Sequence, residues 1–149
     1  MYKRQSVDNV EVYGWNFADL HSGAPALTLN GTLPGGVKQG VQTTRGQNYR
    51  LTFLARQDTW ETCQIDPNYK KARQQFRVGA SNAGGTSYEQ YNLGSPARPE
   101  HGADAEWIEF DFDFWSTSRV TYVSFESQTG ASTGWACGPL ITDVTIDEI

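Results

Sequence analysis

The sequence predicts an all-β fold, a jelly-roll β-sandwich of two antiparallel sheets, and three observations carry that expectation. The strongest is alternation in "WIEFDFDFW", where Ile108, Phe110, Phe112 and Phe114 take one side and Glu109, Asp111 and Asp113 the other. That period of two belongs to a strand with one face buried and one in water; a helix would scatter the four apolar side chains around its circumference. The second is composition. Hydrophobic residues make up 38% and charged residues 19%, with 15 Gly, so the surface is mostly neutral and polar, as in proteins of short strands and turns. The third is punctuation: Asn30-Gly31, Pro34-Gly35-Gly36, Arg45-Gly46-Gln47-Asn48, Ala83-Gly84-Gly85 and the stretch from Gly94 to Pro99 fall between the apolar runs.

Each element follows the same logic. "ALTLNG" offers Leu27 and Leu29, and "GGVKQGVQTT" offers Val37 and Val41. "YRLTFLAR" sets Tyr49, Leu51, Phe53 and Ala55 against Arg50, Thr52 and Arg56. "QFRVGAS" adds Phe76 and Val78, and "RVTYVSFES" adds Val123 and Phe125. The closing "GWACGPLITDVTIDEI" turns at Gly138-Pro139 into a strand whose Leu140, Val144 and Ile146 share one parity. Facing stripes of Phe, Leu and Val fill the space between two sheets about 10 Å apart. Two long connections, residues 56 to 75 and 92 to 106, read as irregular, the first with room for a short helical turn. Connections of that length are commonly functional or disordered.

With 149 residues the chain suits a single domain, residues 1–149. Its net charge of −5 comes with scattered cations, which excludes nucleic acid and anionic lipid as partners. Lys70, Lys71 and Arg73 beside Tyr69 and Phe76 read as a solvated loop face. No run is long and apolar enough to span a membrane, and no leader is visible. The opening "MYKRQ" matches the translation of a common sequencing adapter, so residues 1–5 are read as non-native and the missing leader carries no weight. Cys63 and Cys137 are either one disulfide or two free thiols. A bridge between them would close a loop of about 75 residues and so constrain the unfolded chain.

The ordered set "SGAPALTLNGTLPGGVKQGVQTTRGQNYRLTFLAR" and then "GPLITDVTI" resembles the bacterial choice-of-anchor C domains and the related plant cell-wall family known as domain of unknown function 642. The resemblance covers most of residues 22 to 147. It implies a galactose-binding-domain-like sandwich, secreted or at the cell surface, that works on polysaccharide as a monomeric module. The family's opening Asn-Gly-x-Phe-Glu strand has no match before Val7, so the first strand is expected to be absent. Asp143 matches one ligand of the structural calcium found in modules of similar fold; no other cofactor is implied. Cys137 replaces a residue that is often Tyr, and Cys63 lies in the long connection, so the pair is expected as a disulfide joining that connection to the last turn.

Carbohydrate binding needs aromatic faces for the apolar side of a pyranose and planar amides or carboxylates for its hydroxyls. Trp60, Tyr69 and Trp135 are the leading candidates because their segments are least strand-like, with Trp15 and Tyr91 behind them. Tyr88, Trp107 and Trp115 also stand near loops, although core edges and strand-end plugs account for most such rings. Glu109, Asp111 and Asp113 read first as a solvated face that discourages edge pairing and second as a hydroxyl- or cation-binding row. As a glycosidase pair they lack any sign of a buried carboxyl. His21 and His101 read as loop residues, since no Gly-x-Ser-x-Gly elbow accompanies them. Asn30-Gly31-Thr32 is a turn that also matches a glycosylation acceptor. The expected function is therefore a non-catalytic carbohydrate-binding module. A structural or adhesion domain without sugar affinity is the alternative, and a glycoside hydrolase comes third.

Overall fold

Two five-stranded antiparallel sheets form the framework of the computed structural model, which describes residues 5–7, 11–13, 26–29, 35–58, 73–95, 98–99, 106–129 and 138–149. Every described element is a strand: β1 Gln5–Val7, β2 Glu11–Tyr13, β3 Ala26–Thr28, β4 Gly36–Gln42, β5 Gln47–Arg56, β6 Gln75–Asn82, β7 Gly85–Asn92, β8 Gly94–Ser95, β9 Arg98–Pro99, β10 Ile108–Ser116, β11 Val120–Ser127 and β12 Leu140–Glu148. The first sheet runs β1-β4-β11-β6-β7 and the second β10-β5-β12-β3-β2. The predicted all-β sandwich is the observed fold.

Alternation does what the sequence promised. Phe112 and Phe114 are buried and Phe110 half-buried, while Glu109, Asp111 and Asp113 stand in water. Tyr49, Leu51, Phe53 and Ala55 on β5 face Phe76 and Val78 on β6 and Val123 and Phe125 on β11 across the core. Phe53 is fully buried at the centre, its ring 5.0 Å from Phe125 and 5.8 Å from both Phe76 and Phe110. Edge-to-face contact with Phe76 and Phe125 places the positive rim of one ring on the negative face of another.

Three local expectations change. Leu140, Val144 and Ile146 do not share a face. β12 pairs with β5 as Ile141↔Ala55 and Thr142↔Leu54, then as Thr145↔Thr52 and Ile146↔Leu51, so β12 carries one extra residue. This bulge reverses the parity, and Ile141 rather than Leu140 joins the core ahead of Val144 and Ile146. Asp143 sits in the bulge at φ 52°, a left-handed conformation that Asp tolerates better than most residues. Arg56, expected in water, is buried, with its guanidinium 5.3 Å from the Trp107 ring centre. Within residues 92 to 106, Gly94–Ser95 pairs with Arg98–Pro99 as a short antiparallel ladder. Gln5–Val7 pairs with β4 at the edge of the first sheet, through Gln5↔Lys38 and Val7↔Gly36.

Candidate functional site

The outer face of the first sheet is where aromatic and planar polar groups meet in the open. Parity dictates its membership. Val37, Gln39 and Val41 turn inward on β4, which leaves Lys38, Gly40 and Gln42 outside. On β11 the buried Thr121, Val123 and Phe125 leave Val120, Tyr122, Ser124 and Glu126 outside. On β6 the buried Phe76 and Val78 leave Arg77, Gly79 and Ser81, and β7 presents Thr86, Tyr88 and Gln90.

Two cross-strand pairs organise this face: Tyr122 lies opposite Gly40 and Tyr88 opposite Gly79. A glycine inside a strand leaves a gap in the side-chain layer, and a neighbouring aromatic can cover it. Both tyrosines do so. A Cβ built on Gly79 would lie 2.9 Å from Cδ1 and Cε1 of Tyr88, and one on Gly40 would lie 3.2 Å from Cε1 of Tyr122. The rings thus lie against bare backbone, yet remain 54% and 45% exposed. Each glycine seats its ring.

Polar groups with fixed geometry surround the rings. The Arg77 guanidinium carbon lies 4.3 Å from the Tyr88 ring centre, and its Nη2 donates to Glu126 Oε2 at 2.8 Å. Gln90 Nε2 donates to Gln75 Oε1 at 3.0 Å, and Thr86 Oγ1 donates to Ser81 Oγ at 3.0 Å. Cation–π contact and the ion pair hold Arg77 from two sides. Lys38 is exposed, stands opposite Ser124, and forms no ion pair with any described residue.

The predicted site residues divide. Tyr91 lies on β7, turned inward, with its ring stacked on Phe76 at 5.3 Å and edge-on to Phe53 at 5.7 Å and Phe110 at 5.2 Å. Its hydroxyl donates to the Asp111 carbonyl at 2.6 Å. Burial, and then the nearby Glu89 carboxylate, pushes its phenol pKa up. Protein rings thus surround a residue that the sequence suggested for a loop. Trp15, Trp60, Tyr69, Trp135, Cys63 and Cys137 lie outside the described residues, as do His21 and His101. Asp143 is exposed on its bulge, and among the described residues no three His, Cys, Asp or Glu side chains gather as a metal site. Tyr122 escaped the sequence reading, although "VTYVS" places it opposite in parity to core residues and "KQG" and "RVGAS" carry mid-strand glycines.

The outer face of the second sheet has a different chemistry. Arg50 Nε and Nη2 donate to Asp113 Oδ1 and Oδ2 at 2.8 and 3.0 Å. This hydrogen-bonded pairing holds the Asp113 carboxyl below its ordinary value and raises the Arg50 pKa. Trp115 is 54% exposed at the end of that row.

Solved structures of similar fold include the carbohydrate-binding module TmCBM61 in complex with β-1,4-galactotriose, at 13% identity and TM-score 0.62, covering 99% of this chain and 88% of that one. A family 35 carbohydrate-binding module from Clostridium thermocellum shares 12% identity at TM-score 0.55, with 99% of each chain covered. The CBM22-1 xylan-binding domain of Paenibacillus barcinonensis Xyn10C shares 10% identity at TM-score 0.54, covering 98% of this chain and 85% of that one. At such identities the likeness establishes the sandwich fold. No curated protein matches the chain in sequence. The family model described as "Protein of unknown function (DUF642)" matches residues 6–147, nearly the whole chain, and the protein belongs to that family.

Proposed function

We propose that this protein is a non-catalytic carbohydrate-binding module of a secreted or cell-surface protein, and that the outer face of the first sheet grips the glycan. One observation carries the reading: two solvent-exposed tyrosine rings, each seated on a cross-strand glycine, stand among hydrogen-bonding groups already held in place. A flat ring meets the C–H face of a pyranose, and pre-positioned guanidinium, carboxylate and amide groups meet its hydroxyls at low entropic cost. Tyr122 sits over β4 and Tyr88 over β6, with β11 between them. The glycines that seat them are two strand spacings apart across the sheet and two residues apart along it, about 12 Å in all. A single pyranose cannot cover both, so the ligand is an oligosaccharide or a stretch of polysaccharide laid across the strands. The sugar-binding modules of similar fold support the same class of ligand.

Catalysis fits poorly. A glycosidase acid has to keep its proton near neutral pH, whereas Arg50 holds the Asp113 carboxyl in the opposite direction. The aromatics Trp60, Tyr69, Trp135 and Trp15 are proposed as further contacts, and a Cys63–Cys137 disulfide as a tie between the segments that carry them.

Affinity electrophoresis of Tyr88→Ala and Tyr122→Ala against a panel of galactans, xylans and glucans tests the face. Each substitution is expected to weaken binding by about tenfold, about 1.4 kcal/mol, while Trp115→Ala binds as the parent does. Full binding by both tyrosine variants would move the site elsewhere, and Trp60→Ala and Trp135→Ala in the same gels would then locate it at the loops. A parent protein that binds no glycan leaves the structural or adhesion role.

A further inference from the structure

We infer that the glycan held on this face is acidic, and that Lys38 selects it by pairing with a sugar carboxylate or sulfate; this rests on the binding reading above. The face is electrically unlike the rest of the molecule. The chain carries a net charge of −5, but among the described residues the outer face of the first sheet holds two cations, Lys38 and Arg77, against one carboxylate, Glu126. The outer face of the second sheet holds Glu109, Asp111, Asp113 and Asp147 against one exposed guanidinium, Arg50. Among the described residues the excess of carboxylates therefore lies on the outer face of the second sheet. Two sheets about 10 Å apart put those carboxylates beyond the physiological Debye length of about 8 Å.

Within the face, the cations have different tasks. Arg77 is committed to Glu126 and to the Tyr88 ring. Lys38 has no such commitment to any described residue, so among them its ammonium is the free charge of the platform. Register places it well. Lys38 stands opposite Ser124, and Ser124 opposite Gly79, which seats Tyr88. On its own strand Lys38 is two residues from Gly40, which seats Tyr122. A glycan running from one ring to the other passes beside this ammonium. A neutral chain would leave Lys38 with water alone, whereas an acidic chain gives it a charge-assisted hydrogen bond.

The test uses the full chain and matched pairs of glycans at physiological ionic strength. Polygalacturonate is compared with its methyl ester, and a sulfated galactan with its desulfated parent. The parent protein is expected to hold at least one charged form roughly fivefold more tightly than its neutral mate, the scale of one exposed charge contact. That preference is expected to fade as salt rises. Lys38→Met should abolish the preference while retaining binding to the neutral forms, and Lys38→Arg should restore it. The pair that shows the larger preference identifies carboxylate or sulfate as the partner. Equal binding to charged and neutral forms, or a preference unchanged in Lys38→Met, overturns the role of Lys38 and leaves the tyrosine platform standing. No binding to any of the four glycans overturns the acidic preference and leaves the platform to the wider panel above, whereas binding that ignores Tyr88→Ala and Tyr122→Ala overturns both.

Discussion

The two outer faces of this sandwich arise from the same alternation and end with different chemistry. On the first sheet, mid-strand glycines at 40 and 79 sit opposite Tyr122 and Tyr88, so the rings lie down against the backbone. On the second, Asp113 stands opposite Arg50 and Asp111 opposite Thr52, so side chains of ordinary size stand beside one another. The second face pairs Arg50 with Asp113 and leaves its other carboxylates to water. The first leaves flat apolar surface and one uncommitted ammonium in the open. A solvated face and a binding face therefore differ less in how polar they are than in which residue stands across the ladder.

The comparison breaks most decisively at Gly79. In Gly79→Ala the new methyl would lie 2.9 Å from both the Tyr88 ring and Ser124 Oγ, so the ring must lift away. Since a side chain rather than backbone is displaced, stability is expected to fall by no more than about 1 kcal/mol. Glycan affinity is expected to fall by about tenfold, as if the tyrosine had been removed. Affinity electrophoresis beside a thermal melt separates the two quantities. Unchanged affinity would mean that the seated ring is not the binding surface.

A smaller effect is expected at the bulge of the second sheet. Asp143→Val forces a β-branched residue to φ 52° and should cost about 1–2 kcal/mol, while Asp143→Gly should be neutral or slightly stabilising. Denaturant midpoints of the two variants check the difference. A melt that rises with added calcium in the parent but not in Asp143→Gly would instead give the carboxylate the ligand role implied by the family resemblance.

The smallest effect belongs to the ion pair. The Asp113 carboxyl is held below its ordinary value of 3.8 by Arg50, so its contribution is present above that pH and is lost as acid takes the pH down through the folded-state value. Parent and Asp113→Asn should therefore differ by a constant increment near neutrality and converge below about pH 4. Because the pair is exposed, the increment is small and shrinks in high salt. Glycan binding should not change. An Asp113→Asn protein with impaired binding would erase the contrast between the faces.

Much of this was legible beforehand. The Phe110–Phe112–Phe114 stripe, the β5 stripe from Tyr49 to Ala55 and the acid row all lie where alternation put them. Leu140 was misread because an extra residue in a strand has no signature in hydrophobicity, and a single insertion reverses every later side chain. Tyr91 was drawn toward a loop by its neighbours in the chain, while the apolar rings of β5, β6 and β10 draw it inward. The clue to the outer face was visible in pieces: an outward tyrosine on β11 and two glycines inside strands.

What the sequence determined by itself is which side of each strand meets oil and which meets water, because strand geometry repeats every two residues regardless of neighbours. What only the tertiary structure decided is which strands lie side by side and in which register. Gly40 and Tyr122 are 82 positions apart in the chain, and no local rule pairs them. Their meeting depends on two sheets closing over a shared core, and the exposed rings depend on that meeting.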